Sequence, residues 1–100
     1  MDLIVRVAEV RGRCPVYQEG ASFRLLDGYR LLAEAPVCMH ALASLMPYYN
    51  ALRFASPEEL GLAGKGDRDT LSIQCLDPCV QTGGGTVIFA VTRSPSRAEG

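Results

Sequence analysis

Apolar residues recur at every second position in two stretches of the chain. In Thr70–Cys75, Leu71, Ile73 and Cys75 share one face; in Thr86–Arg93, Val87, Phe89 and Val91 do the same. Such alternation marks a half-buried strand, because successive side chains point to opposite faces of a sheet. Leu3–Val10 is denser in Val and Ile, with Arg6 and Glu9 interrupting, and reads as a mostly buried first strand. Strand-like residues also flank Asp27-Gly28, in Ser22–Leu26 before it and Tyr29–Leu32 after it. That dipeptide predicts a hairpin with a type I′ turn, whose two central residues need positive φ.

A longer period governs Val37–Arg53, which Pro36 opens. Cys38, Leu42, Leu45, Tyr49 and Leu52 follow one another at helical intervals of four and three residues and define one face. Pro47 falls inside this segment, removes an amide donor and clashes with the preceding turn, so a kink or two abutting helices are expected there. Ser56-Pro57-Glu58-Glu59 combines a capping serine, proline in the first helical position and acids in the first turn, which predicts a short second helix ending near Gly61–Gly64. Breaks fall at Arg11–Pro15, in the charged stretch Lys65–Asp69, at Asp77-Pro78 and at Gly83-Gly84-Gly85, read as a flexible connection. The fold expected is α+β: a small, mainly antiparallel sheet of four to five strands, with one long kinked helix on one face and a short second helix. Residues 1–93 form one domain in this reading, and Ser94–Gly100, small and polar, is a flexible tail.

Composition agrees with a folded domain. Of 100 residues, 48% are hydrophobic and 21% charged, and the net charge is -1. Near-neutrality argues against nonspecific binding to nucleic acid or to an anionic membrane, so neither is expected as a partner. No apolar run approaches the ~20 residues that span a bilayer. Met1-Asp2-Leu3 enters a strand at once, with nothing resembling a signal peptide, so a cytoplasmic chain is expected.

In that compartment four thiols change the picture. Cys14, Cys38, Cys75 and Cys79 would not persist as structural disulfides against the glutathione pool, which leaves metal ligation, thiol chemistry or core packing. Cys14 follows the first strand, Cys38 lies in the first helical turn, Cys75 ends the fourth strand and Cys79 follows in a Pro-containing turn. If the first and fourth strands were parallel neighbours, Cys14 and Cys75 would emerge at one end of the sheet. A helix N-terminus facing that end would add Cys38, and its partial positive charge favours thiolate. Cys14, Cys38 and Cys75 are thus candidate metal ligands, with Cys79 or Asp77 completing the shell around zinc or an iron–sulfur cluster. The spacing is not that of a zinc ribbon or a ferredoxin. Cys38 and Cys75 also fall on expected core faces, where free cysteine packs as a small hydrophobe.

Other residues carry weaker signals. His40 lies about 200° around the helix from Cys38, too far for one ion to reach both. Asp77 serves equally well as a ligand or as the acceptor of an Asx-type turn before Pro78. Tyr48, Tyr49 and Arg53 would line a pocket at the helix end or form core and rim. Arg11 and Arg13 beside Cys14 make an anion-binding lip or stay solvated. Gly83-Gly84-Gly85 lacks the Gly-Lys-Ser/Thr ending of a phosphate loop, and no Gly-x-Ser-x-Gly elbow is present.

Several of these elements form a pattern. Gly12-Arg13-Cys14-Pro15 follows the first strand, Gly20 to Phe23 opens the second, and Cys38-Met39-His40-Ala41 starts the helix. Pro47-Tyr48 lies within the helix, Leu52-Arg53-Phe54 follows it, and Cys75-Leu76-Asp77-Pro78 ends the fourth strand. From about Val5 to Arg93 the chain resembles a widespread, uncharacterised prokaryotic family of similar length, common in anaerobes and archaea. It departs from that family at Ala21, where an acid is usual, and at Leu76, where proline is usual. Cys79 lies outside the pattern, so the resemblance points to Cys14, Cys38 and Cys75 and implies no reaction.

The preferred expectation is therefore a small cysteine-site protein that binds a metal ion or iron–sulfur cluster as an accessory. The alternatives are a non-catalytic interaction module, a homo-oligomer or a binder of another protein, whose cysteines merely pack, and a thiol redox protein or thiol enzyme using Cys38 or Cys14.

Overall fold

A computed structural model describes residues 1–95. Five strands and one helix follow in the order β1 (Asp2–Gly12), β2 (Ser22–Leu26), β3 (Arg30–Leu32), α1 (Met39–Leu52), β4 (Leu71–Gln74) and β5 (Gly85–Ser94). All neighbours are antiparallel, in the order β3-β2-β1-β5-β4. β5 pairs along β1 from Asp2 opposite Ser94 to Gly12 opposite Gly85, with a register shift between Val7 and Glu9. The shift lets the first strand change phase, so that Val7 and then Val10 meet the core.

Alternation decides which face is covered. Leu3, Val5, Val7, Phe23, Leu25, Leu71, Ile73, Val87, Phe89 and Val91 are buried on one side, together with Ala41, Leu45 and Leu52 of α1. Tyr17, from the loop between β1 and β2, completes this core. Its ring lies edge-on to Phe89 at 5.6 Å and stacked on Phe23 at 6.3 Å between centroids. The buried stripe of α1 is Ala41, Ser44, Leu45 and Leu52, rotated from the expected one. Small Ala41 and Ser44 face the sheet, and Leu42 is half-buried towards the β3 rim.

The Asp27-Gly28 turn forms as the sequence suggests, with φ of 59° and 83° and Tyr29 N–H donating to Leu26 O at 3.1 Å. The buried carboxylate of Asp2 accepts the Asp27 N–H at 3.0 Å and so ties the turn to the start of β1.

The helical content differs from expectation. Among the described residues there is one helix, of 14 residues, and they are mostly sheet. Pro36 and Val37 stay outside it, because Cys38 is its extended N-cap at φ -73° and ψ 131°. The helix is not divided at Pro47. Pro47 sits on the exposed side, and so does Ala43, whose carbonyl loses an amide partner and meets solvent instead. The second helix is absent. Ser56 and Glu59 do make a reciprocal capping pair, each side chain accepting the other's N–H at 3.1 Å, but Gly61 at φ 77° ends the structure after one turn. One turn fixes its dihedrals for too few hydrogen bonds to count as a helix. Of the expected tail, Ser94 ends β5 and residues 96–100 lie outside the described residues.

Candidate functional site

β1 and β4 run in the same direction but are not neighbours, since β5 lies between them. Their C-terminal ends nonetheless lie at the same end of the sheet, beside the start of β5. Cys75 N–H donates to Val87 O at 2.9 Å, and Val87 stands opposite Val10, so Cys75 and the end of β1 flank one stretch of β5. Beyond Gly12 the chain crosses Gly85 so closely that a Cβ on Gly85 would come 2.6 Å from the Cys14 amide nitrogen. Only glycine admits the loop that carries Cys14.

Tyr17 anchors that loop. Its own N–H points to Cys14 Sγ at 3.3 Å, and its hydroxyl accepts the Cys38 N–H at 2.9 Å. The second bond satisfies an amide of the α1 N-cap, whose own side chain makes no capping bond. Burial raises the Tyr17 phenol above its ordinary 10.0, the Cys38 amide opposes this, and charge on Cys38, Cys14 or Cys75 would raise it further. Three thiols from three separate stretches therefore lie within electrostatic reach of the Tyr17 phenol. Each is partly exposed and packed against the core. An open depression of ≈ 550 Å³, lined by Val10, Gly12, Cys14, Pro15 and Tyr17 among others, lies beside Cys14.

The remaining candidates lie apart from Tyr17. Cys79 adopts φ 63°, and its Sγ is 3.6 Å from both Arg11 O and Gly84 O. Asp77 makes the Asx-type turn: it accepts the Cys79 N–H at 2.8 Å and the Thr82 hydroxyl. Those two bonds, the hydroxyl first, and the nearby His40 hold its carboxyl below the usual range. His40 itself is exposed. Arg11 pairs with Glu9 at the surface. Tyr49 and Arg53 both lie against Gly28, while Tyr48 lies apart. Tyr49 donates to Gly28 O at 3.0 Å, Arg53 to Met1 O at 3.2 Å, and Tyr48 faces a groove beside β4. Among the described residues, no group of three or more His, Cys, Asp and Glu side chains stands ready to hold a metal ion. All four cysteines are free.

Tyr17 is the residue that sequence reasoning missed. It sits in Pro15–Gly20, which has no period to place it inside or outside. The available signal was a lone aromatic in an otherwise polar, Gly/Pro-bounded loop. No known protein family, curated protein or solved structure matches the chain, and no helix among the described residues is long and apolar enough to cross a membrane.

Proposed function

We propose that this is a small cysteine-site protein in which Cys14, Cys38 and Cys75 take up a thiophilic metal ion or cluster. One observation carries this reading: Tyr17 ties the Cys14 loop to the Cys38 N-cap, its N–H 3.3 Å from Cys14 Sγ and its hydroxyl 2.9 Å from the Cys38 amide, with Cys75 also within electrostatic reach of its phenol. The donor set is all sulfur, which suits zinc or iron–sulfur ligation and not calcium or magnesium. The thiols are not drawn together as a finished ligand group, so ligation involves a closing movement of the loop carrying Cys14 against the N-cap of α1. Proton loss from the thiols accompanies binding, which makes affinity rise with pH. The reading assumes a reducing compartment, the cytoplasm, and an accessory role.

The test is metal analysis of anaerobically purified chain, followed by zinc titration of chelator-washed protein. One equivalent is expected to bind. Cys14→Ser, Cys38→Ser and Cys75→Ser each weaken binding at least about tenfold, and Cys79→Ser leaves it unchanged. A chain that takes up neither zinc nor iron refutes the reading, as does equal loss on replacing Cys79.

A further inference from the structure

Tyr17 does more than tie the Cys14 loop to the helix, because one of its donors is unspent. Its ring is set between Phe23 and Phe89, and only 7% of the residue is exposed. The hydroxyl oxygen accepts the Cys38 N–H at 2.9 Å, but among the described residues no acceptor meets the hydroxyl's own proton. A phenol donates as well as accepts, and the O–H of a buried tyrosine normally has a partner. The groups nearby that can turn into strong acceptors are thiols. Charge on Cys38 would act on the phenol more strongly than charge on Cys14 or Cys75.

Ligation creates the missing acceptor. A thiol binds metal as thiolate, and three thiolates around one divalent ion leave a net negative charge. All three cysteines are partly buried, where charge without hydrogen bonds is costly. Tyr17 has two donors to offset it. Its N–H already points to Cys14 Sγ at 3.3 Å. Its O–H can turn to the Cys38 sulfur while the oxygen keeps the Cys38 amide. Cys79 has no such support, since its Sγ faces the carbonyls of Arg11 and Gly84, neither of them a donor.

We infer that Tyr17 is a positioning residue of the thiol site, donating one hydrogen bond to the sulfur of Cys14 and another to that of Cys38 when both are thiolates. The inference rests on the metal reading above and names the residue that tunes its sulfur ligands. Hydrogen bonds to sulfur withdraw electron density from the metal–sulfur bond. Cobalt(II) is the probe, because its sulfur-to-metal charge-transfer absorption reports the thiolates directly. Chelator-washed wild type and Tyr17→Phe are titrated with cobalt chloride, with circular dichroism to verify folding. Tyr17→Phe is expected to bind about tenfold more weakly. Its charge-transfer bands move to longer wavelength, since sulfur relieved of the O–H bond gives up electrons more readily. Val91→Ala, a core substitution four residues along β5 from the Val87 that Cys75 contacts, lowers stability and leaves the bands in place. In wild type loaded with a spin-half cadmium isotope, the Tyr17 amide proton shows scalar coupling to the metal through the Cys14 sulfur, a readout that needs no variant to fold. Cobalt uptake with identical bands in wild type and Tyr17→Phe overturns this inference and leaves the metal reading standing, as does a Tyr17 amide without coupling. A wild-type chain that takes up no cobalt overturns both.

Discussion

Tyr17 joins three parts of the molecule: its ring packs on Phe23 and Phe89, its N–H meets Cys14 Sγ, and its hydroxyl takes the Cys38 N–H. Tyr17→Phe keeps the ring and strands one amide. Urea denaturation is expected to show a loss of about 1–2 kcal/mol at neutral pH. The sign at alkaline pH follows from a phenol raised by burial above 10.0. Its stabilising contribution is complete below pH 10.0 and is lost as pH rises through the folded value. The gap between wild type and Tyr17→Phe should therefore narrow above pH 10.0, and a gap constant with pH contradicts the assignment. At this scale the sequence was only partly readable. Cys14, Cys38 and Cys75 announced themselves by residue type, and the Asp77 turn by its proline. The phenol that they share depends on contacts between distant segments, which no local pattern encodes.

Elements were more legible where packing and propensity agree. The strands follow from alternation, and the Asp27-Gly28 turn from positive φ. The helix was harder to place because its buried stripe is drawn by small Ala41 and Ser44, which hydrophobic counting passes over. Ser56–Glu59 had every local sign of a helix start but no length to propagate. Pro47 shows a local cost tolerated, since the helix continues through it on its exposed side. Pro47→Ala restores an amide donor and removes the ring clash, and is expected to stabilise the chain by about 1–3 kcal/mol in thermal or urea unfolding. A loss of stability would mean that the proline ring contributes more through the groove it shares with Leu62 and Ile73.

For the molecule as a whole, one layer of sheet is covered on one face by a single helix and by the Tyr17 loop. Such a thin core leans on its few large side chains. Phe89 is fully buried in β5, between β1 and β4, and meets both Tyr17 and Phe23. Phe89→Ala should cost about 3–5 kcal/mol, enough to leave a domain of this size largely unfolded, as circular dichroism against temperature would show. A mild, local loss would indicate that the helix and the β2–β3 hairpin hold together without it. The antiparallel character of the sheet was readable, whereas the insertion of β5 between β1 and β4 was not, because strand order is set by which faces can be covered together.

That insertion has a bearing on how the chain reaches its native state. The two longest strands are each other's partners across nearly the full sequence, Asp2 with Ser94 and Gly12 with Gly85. During synthesis, β1 leaves the ribosome with only the β2–β3 hairpin to pair beside it and waits for its main companion until β5, at Gly85–Ser94, has followed. Native topology is thus gained late and through remote contacts, the regime in which acquisition is slow and the nascent chain relies longest on chaperones to shield it.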